Sequence, residues 1–140
     1  MAMYRSLVMN DAGTPVVRSI GPDVRLWLRL EGLAGFGAGI VLFGQLGGAW
    51  LLLVPALLLV DVSMIGYLRG PRAGAFTYNL AHQWATGLVV LGAGLATGIP
   101  LLALAGAVLV AHVGMDRAAG YGLKQPTDFH DTHLGRLGTR

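Results

Sequence analysis

Trp50-Leu51-Leu52-Leu53-Val54-Pro55-Ala56-Leu57-Leu58-Leu59-Val60-Asp61 is the stretch that decides the architecture of this chain. No charge appears from Trp50 to Val60, and after Asp61 none appears again until Arg69. A hydrocarbon layer about 30 Å thick needs roughly 20 mostly apolar helical residues to cross it. Residues 50–67 meet that demand, with Pro55 as an expected kink. Working outward, three more stretches qualify: 28–46, whose opening turns hold Arg29 and Glu31, then 73–97 and 101–119. Leu88 to Leu91 and Leu101 to Val110 offer no polar face, which a soluble helix would require.

Composition agrees. The chain has 140 residues, 54% of them hydrophobic and only 12% charged, where a soluble domain is about a quarter charged. Without cysteine there is no disulfide framework, no zinc–thiolate site and no thiol nucleophile. The reading is an all-α, four-transmembrane-helix bundle over residues 28–119, with tails at 1–27 and 120–140. Met1 to Val24 lacks the continuous apolar core of a signal peptide and reads as a tail.

Four spans put both termini and the Arg69-Gly70-Pro71-Arg72 connector on one side, and all 10 Lys and Arg residues fall there. By the positive-inside rule that side is cytoplasmic, so both termini are expected in the cytoplasm. The net charge of +3 then reflects orientation and attraction to membrane lipids. No nucleic-acid motif is present; a second copy or another membrane protein is the remaining candidate partner. Close packing is expected where small residues recur: Gly35 and Gly39, Gly94 and Gly98, and the Ala103, Ala107, Ala111 stripe.

The informative residues are those that do not belong in hydrocarbon. Glu31, Asp61, Asn79, His82, His112 and Asp116 come from four helices, at depths of roughly 6 to 15 Å from the charged ends. Asn79, His82, Gln83 and Thr86 should form one stripe of a continuous helix, and His112 and Asp116 should share a face one turn apart. Such groups are costly in a bilayer unless they pair, bind a cation or line a wet cavity. Three readings stay open. One is a hydrogen-bonded staple between helices. Another is a site for zinc, manganese or iron on Asp61, His82, His112 and Asp116, with Glu31 or Asn79 in support and Asp116 or Glu31 as a general base. The third is a proton or ion relay, including a small proton-coupled transporter using Glu31. In the tail, Asp131 and His133 either fold back over the cytoplasmic mouth of the bundle or belong to a solvated tail in which Asp131-Thr132 caps a short turn; both readings stay open. Arg29 and Arg117 should snorkel, unless Arg117 pairs with a carboxylate.

The blocks Arg29-Leu30-Glu31-Gly32, Asp61 to Tyr67, Gly70-Pro71-Arg72, Tyr78 to His82, Ala111 to Arg117, Gly120 to Lys124 and Asp131 to Gly135 resemble a bacterial family of small four-helix membrane proteins known only as a domain of unknown function. Where that family often has proline, this chain has Val60, and His130 takes a position that is usually basic. The resemblance implies a multi-pass protein of the bacterial inner membrane. The blocks are also distantly similar to membrane-bound metal-dependent hydrolases, which implies a metal site and hydrolysis of a lipid or other amphiphile.

Overall fold

The structure, a computed structural model, describes residues 8–9, 15–16 and 20–138. Two short strands, β1 (Val8–Met9) and β2 (Pro15–Val16), pair antiparallel near the N-terminus. Helices follow: α1 (Pro22–Gln45), α2 (Trp50–Val60), a 3-10 stretch (Asp61–Arg69) continuing α2, then α3 (Pro71–Ala81), α4 (Trp84–Thr97) and α5 (Pro100–Ala119). A small antiparallel hairpin, β3 (Asp131–Thr132) and β4 (Gly135–Arg136), closes the chain. Pro22, Pro71 and Pro100 each open a helix, where the missing N–H costs nothing. α1 begins at Pro22, so residues 22–27 are helical.

Three helices are long and apolar enough to cross a membrane: Pro22–Gln45, Trp50–Arg69 and Pro100–Ala119. The expected third crossing over 73–97 is instead two helices, broken at His82-Gln83, and its apolar part, Trp84–Thr97, has 14 residues. Pro55 lies inside α2, as the sequence implied. Leu51, Leu68 and Leu101 are 88%, 85% and 78% exposed, a surface suited to lipid and not to water, which marks a membrane protein.

The centre of the bundle is α5. Of its most apolar window 61% is buried within the protein, against 17% for α1 and 6% for Trp50–Arg69. Small residues explain this. A Cβ on Gly39 would run into the backbone of Ala111, and one on Gly106 or Gly94 would run into Leu91 or Ala103. Ala103, Ala107 and Ala111 are all buried, so the predicted alanine stripe is the seam on which α1 and α4 pack. Trp84 fills the space over Gly35, a packing role. The 3-10 stretch and α3 form a second, tight pair, with Gly66 against Thr77 and Gly74 against the Tyr67 ring. Gly70, at φ +108, makes the reversal between them.

Candidate metal centre

The break in the third crossing makes the site. Tyr78 and His82 are one helical turn apart, and their rings stack with centroids 3.7 Å apart at 13°. The His82 backbone N–H bonds the Tyr78 carbonyl at 2.9 Å, and the ring Nδ1 bonds the same oxygen at 2.9 Å. With Nδ1 donating to a carbonyl, the Nε2 lone pair points into the bundle. There it meets His112 Nε2 at 2.9 Å and Asp61 Oδ1 at 3.3 Å, while His112 Nε2 lies 3.5 Å from the same Asp61 oxygen. Both imidazoles are fully buried, and the Asp61 side chain is 36% exposed, so the group opens on the Asp61 side. Asp61, His82 and His112 thus form a buried group that could hold a metal ion.

The spacing fits a cation. Ligand atoms about 2.0–2.1 Å from a metal stand about 2.9 Å apart at right angles and about 3.4 Å apart in a tetrahedron. Two facing imidazole lone pairs also repel, so a proton or a cation must lie between the Nε2 atoms. Asp116 stands slightly farther out, with Oδ2 3.8 Å from His82 Nε2 and Oδ1 3.9 Å from His112 Nε2. Tyr78 donates its hydroxyl to Asp116 Oδ2 at 2.8 Å, which orients the carboxylate and leaves Oδ1 facing His112. The predicted His112–Asp116 face is therefore real, and Asp116 stands beside the group of Asp61, His82 and His112.

The backbone freed at the break is satisfied by a residue the sequence reading assigned elsewhere. Arg117 neither snorkels nor bonds a carboxylate. Its guanidinium donates to the His82 carbonyl at 3.0 Å and to the Tyr121 carbonyl at 2.6 Å. An interrupted helix at membrane depth requires such a donor. The 3-10 winding also changes the depth: at about 2 Å per residue, Asp61 lies about 16 Å from Arg69 along the rod, not about 12 Å. Asp61 therefore lies deeper than expected.

Three of the remaining candidates sit elsewhere. Asn79 is not beside the cluster: its amide donates to the Lys124 carbonyl at 2.9 Å and its oxygen accepts the Lys124 N–H at 2.7 Å, which clamps the tail to α3. Because the helix breaks at His82, no continuous stripe runs from Asn79 to Thr86; Gln83 bonds Thr86 locally at 3.2 Å. Asp131 pairs with Arg136 at 2.6 Å within the hairpin. Glu31 is exposed and lines a separate cleft of about 260 Å³ with Trp84, Arg117 and His133. The tail does fold back over the bundle, through His133. That ring accepts the Leu123 N–H on Nδ1 at 2.8 Å, and burial followed by the Arg117 charge hold its pKa below the ordinary histidine value. Lys124 is buried under the tail, its ammonium 4.0 Å from the Phe129 ring centre and its pKa lowered chiefly by that burial. Tyr78 was legible as an i, i+4 partner of His82; Lys124 had no signal in the sequence.

A mostly helical, membrane-type protein with a buried carboxylate–imidazole group at a helix break is the class this geometry defines. The chain belongs to the family described as Domain of unknown function (DUF4260), whose match covers residues 25–137 and so includes the cluster, Arg117 and the tail hairpin. No curated protein and no solved structure matches the chain.

Proposed function

We propose that Asp61, His82 and His112, with Asp116 as fourth ligand or general base, hold a zinc, manganese or iron ion, and that the protein is a metal-dependent hydrolase of an amphiphile at the cytoplasmic side of the cell membrane. The observation that carries this reading is the triangle of inward ligand atoms, with sides of 2.9, 3.3 and 3.5 Å in a buried layer. Two imidazoles and a carboxylate suit these ions better than calcium or magnesium. When bound, such an ion supplies a Lewis acid and lowers the pKa of a water. The chain's own contribution is then clear. Tyr78 fixes His82 by stacking and through its carbonyl, and fixes Asp116 through its hydroxyl, leaving Asp116 Oδ1 to accept a proton. Asp61 faces the open side, where a substrate would enter. Because Glu31 lines a different cleft, the base role falls to Asp116. The cytoplasmic assignment rests on the four-span reading of the sequence, in which all 10 basic residues fall on one side.

Metal analysis of detergent-purified protein tests the site. The expected result is about one ion per chain, falling at least tenfold in His82→Ala and in His112→Ala. Metal-free wild type after loading with zinc, manganese and iron would overturn it. Hydrolysis of a micellar acyl p-nitrophenyl ester by loaded protein, lost in Asp116→Asn, tests the chemistry. Cysteines placed at Gly47 and Gly70 test orientation: only Gly47 should label from outside intact cells.

A second reading has its own observation. His112 Nδ1 is buried without a hydrogen-bond partner. If His112 carries its proton on Nε2 and donates it to His82 Nε2, the orphan is a bare acceptor, cheaper to bury than a donor. The cluster is then a staple between α3 and α5. In that case His112→Ala lowers thermal stability in metal-free protein, and added metal does not restore wild type's advantage.

A further inference from the structure

On the far side of Arg117 from the cluster is a cleft lined by Arg25, Leu28, Arg29, Arg117, Gly120 and Leu134. It lies between the first turns of α1, the C-terminus of α5 and the closing hairpin. Its volume is about 50 Å³, room for about four waters or one tetrahedral oxyanion. Three arginines line it and no carboxylate residue does, although Arg117 also donates to the Tyr121 and His82 carbonyls. Arg117 is partly compensated by Asp116 and Glu31, which act on its charge from outside the cleft. Arg25 spends only its Nε, on the Ile20 carbonyl at 3.1 Å, and its Nη2 reaches within 3.8 Å of where a Cβ on Gly135 would stand. Arg29 makes no hydrogen bond with another described residue, and its Nη2 is 3.0 Å from where a Cβ on Gly120 would stand. Gly120, at φ +93, is thus both the left-handed cap of α5 and the opening that admits this guanidinium.

Like charges converge at a cost unless something opposite lies among them. The negative end of α5 accounts for one cation near its last turn, not for three around one half-open cleft. Arginine forks in turn match the oxygens of a phosphate group. We propose that this cleft is a phosphate-binding site, filled by the phosphate of an anionic lipid headgroup or of a phosphorylated solute. The site is separate from the carboxylate–imidazole cluster and does not depend on a metal being there.

The test is calorimetric titration of the detergent-purified full chain with dihexanoyl phosphatidic acid, with inorganic phosphate and with dihexanoyl phosphatidylcholine. One saturable site is expected for phosphatidic acid or inorganic phosphate. Arg25→Gln with Arg29→Gln should weaken it at least tenfold. Arg69→Gln with Arg72→Gln, which removes the same charge from another place on this end, should change it less than twofold. Leu134→Trp, which fills the cleft and leaves every charge, should abolish it and keeps the test valid if the double arginine variant does not fold. Binding of phosphatidic acid alone identifies a lipid headgroup as the source, and equal binding of inorganic phosphate identifies a solute. Absence of saturable binding to both, equal losses in the two arginine pairs, or unchanged affinity in Leu134→Trp would each overturn the proposal.

Discussion

The two ends of α5 pack by different physics. Its first half meets α4 through bare backbone, with Gly106 on Leu91 and Gly94 on Ala103, and no polar side chain takes part. Its second half also meets α1 through bare backbone, at Gly114 on Phe36 and Gly39 on Ala111, but adds directed groups: His112, Asp116 and Arg117 reach His82, Tyr78 and the Tyr121 carbonyl. In a bilayer, apolar surface alone gives helices little reason to prefer each other over lipid. The first half therefore gains its specificity from shape alone, and the second half from shape together with hydrogen bonds that have no substitute in hydrocarbon.

The comparison breaks most readily at Gly106. Gly106→Leu is expected to destabilise the protein by about 3 kcal/mol, since nothing beside Leu91 can yield to a side chain there. Gly92→Leu on α4, where a Cβ meets nothing within 4 Å, should stay within about 0.5 kcal/mol. Reversible unfolding in mixed detergent–SDS micelles measures both, and equal losses would show that shape does not set the α4–α5 seam. Next in size is Arg117→Met, which strands the His82 and Tyr121 carbonyls and should cost about 2–3 kcal/mol by the same measurement. A neutral result would mean that the helix break supports itself. Asn79→Ala removes two hydrogen bonds to Lys124 and should cost about 1–2 kcal/mol, seen first as faster proteolysis after Lys124.

The smallest effect is one of pH. The folded state holds His133 below its ordinary pKa of about 6.5, so above that pH both folded and unfolded chains carry it neutral and nothing changes. As pH falls below 6.5 the unfolded chain takes the proton first, and stability drops until the folded pKa is passed. A proton on Nδ1 also removes the acceptor used by the Leu123 N–H. Tail proteolysis should therefore quicken between pH 6.5 and 5 in wild type. His133→Gln should flatten that dependence; an unchanged profile would remove His133 from the tail's attachment.

Asp61, His82, His112 and Asp116 were legible in the sequence as groups too costly to leave in lipid, and the i, i+4 spacing of His112 and Asp116 put that pair on one face. Glu31 was grouped with them on depth alone, and Asn79 on depth and on a stripe with His82 that assumed a continuous helix. Depth along a helix says nothing about azimuth, and the chain turns Glu31 to another cleft and Asn79 to the tail. The Arg117 contacts could not be read, because they answer a carbonyl that becomes free only when the helix stops at His82.

Hydrophobicity, which acts residue by residue along the chain, and the spacing of small residues determined the helical, membrane-type character and the small-residue seam on α5. The interruption at His82-Gln83, the 3-10 winding after Asp61 and the convergence of three arginines on one cleft depend on which rods become neighbours. A side chain's partner across a bundle is set by rotation and contact between helices, and only folding fixes those.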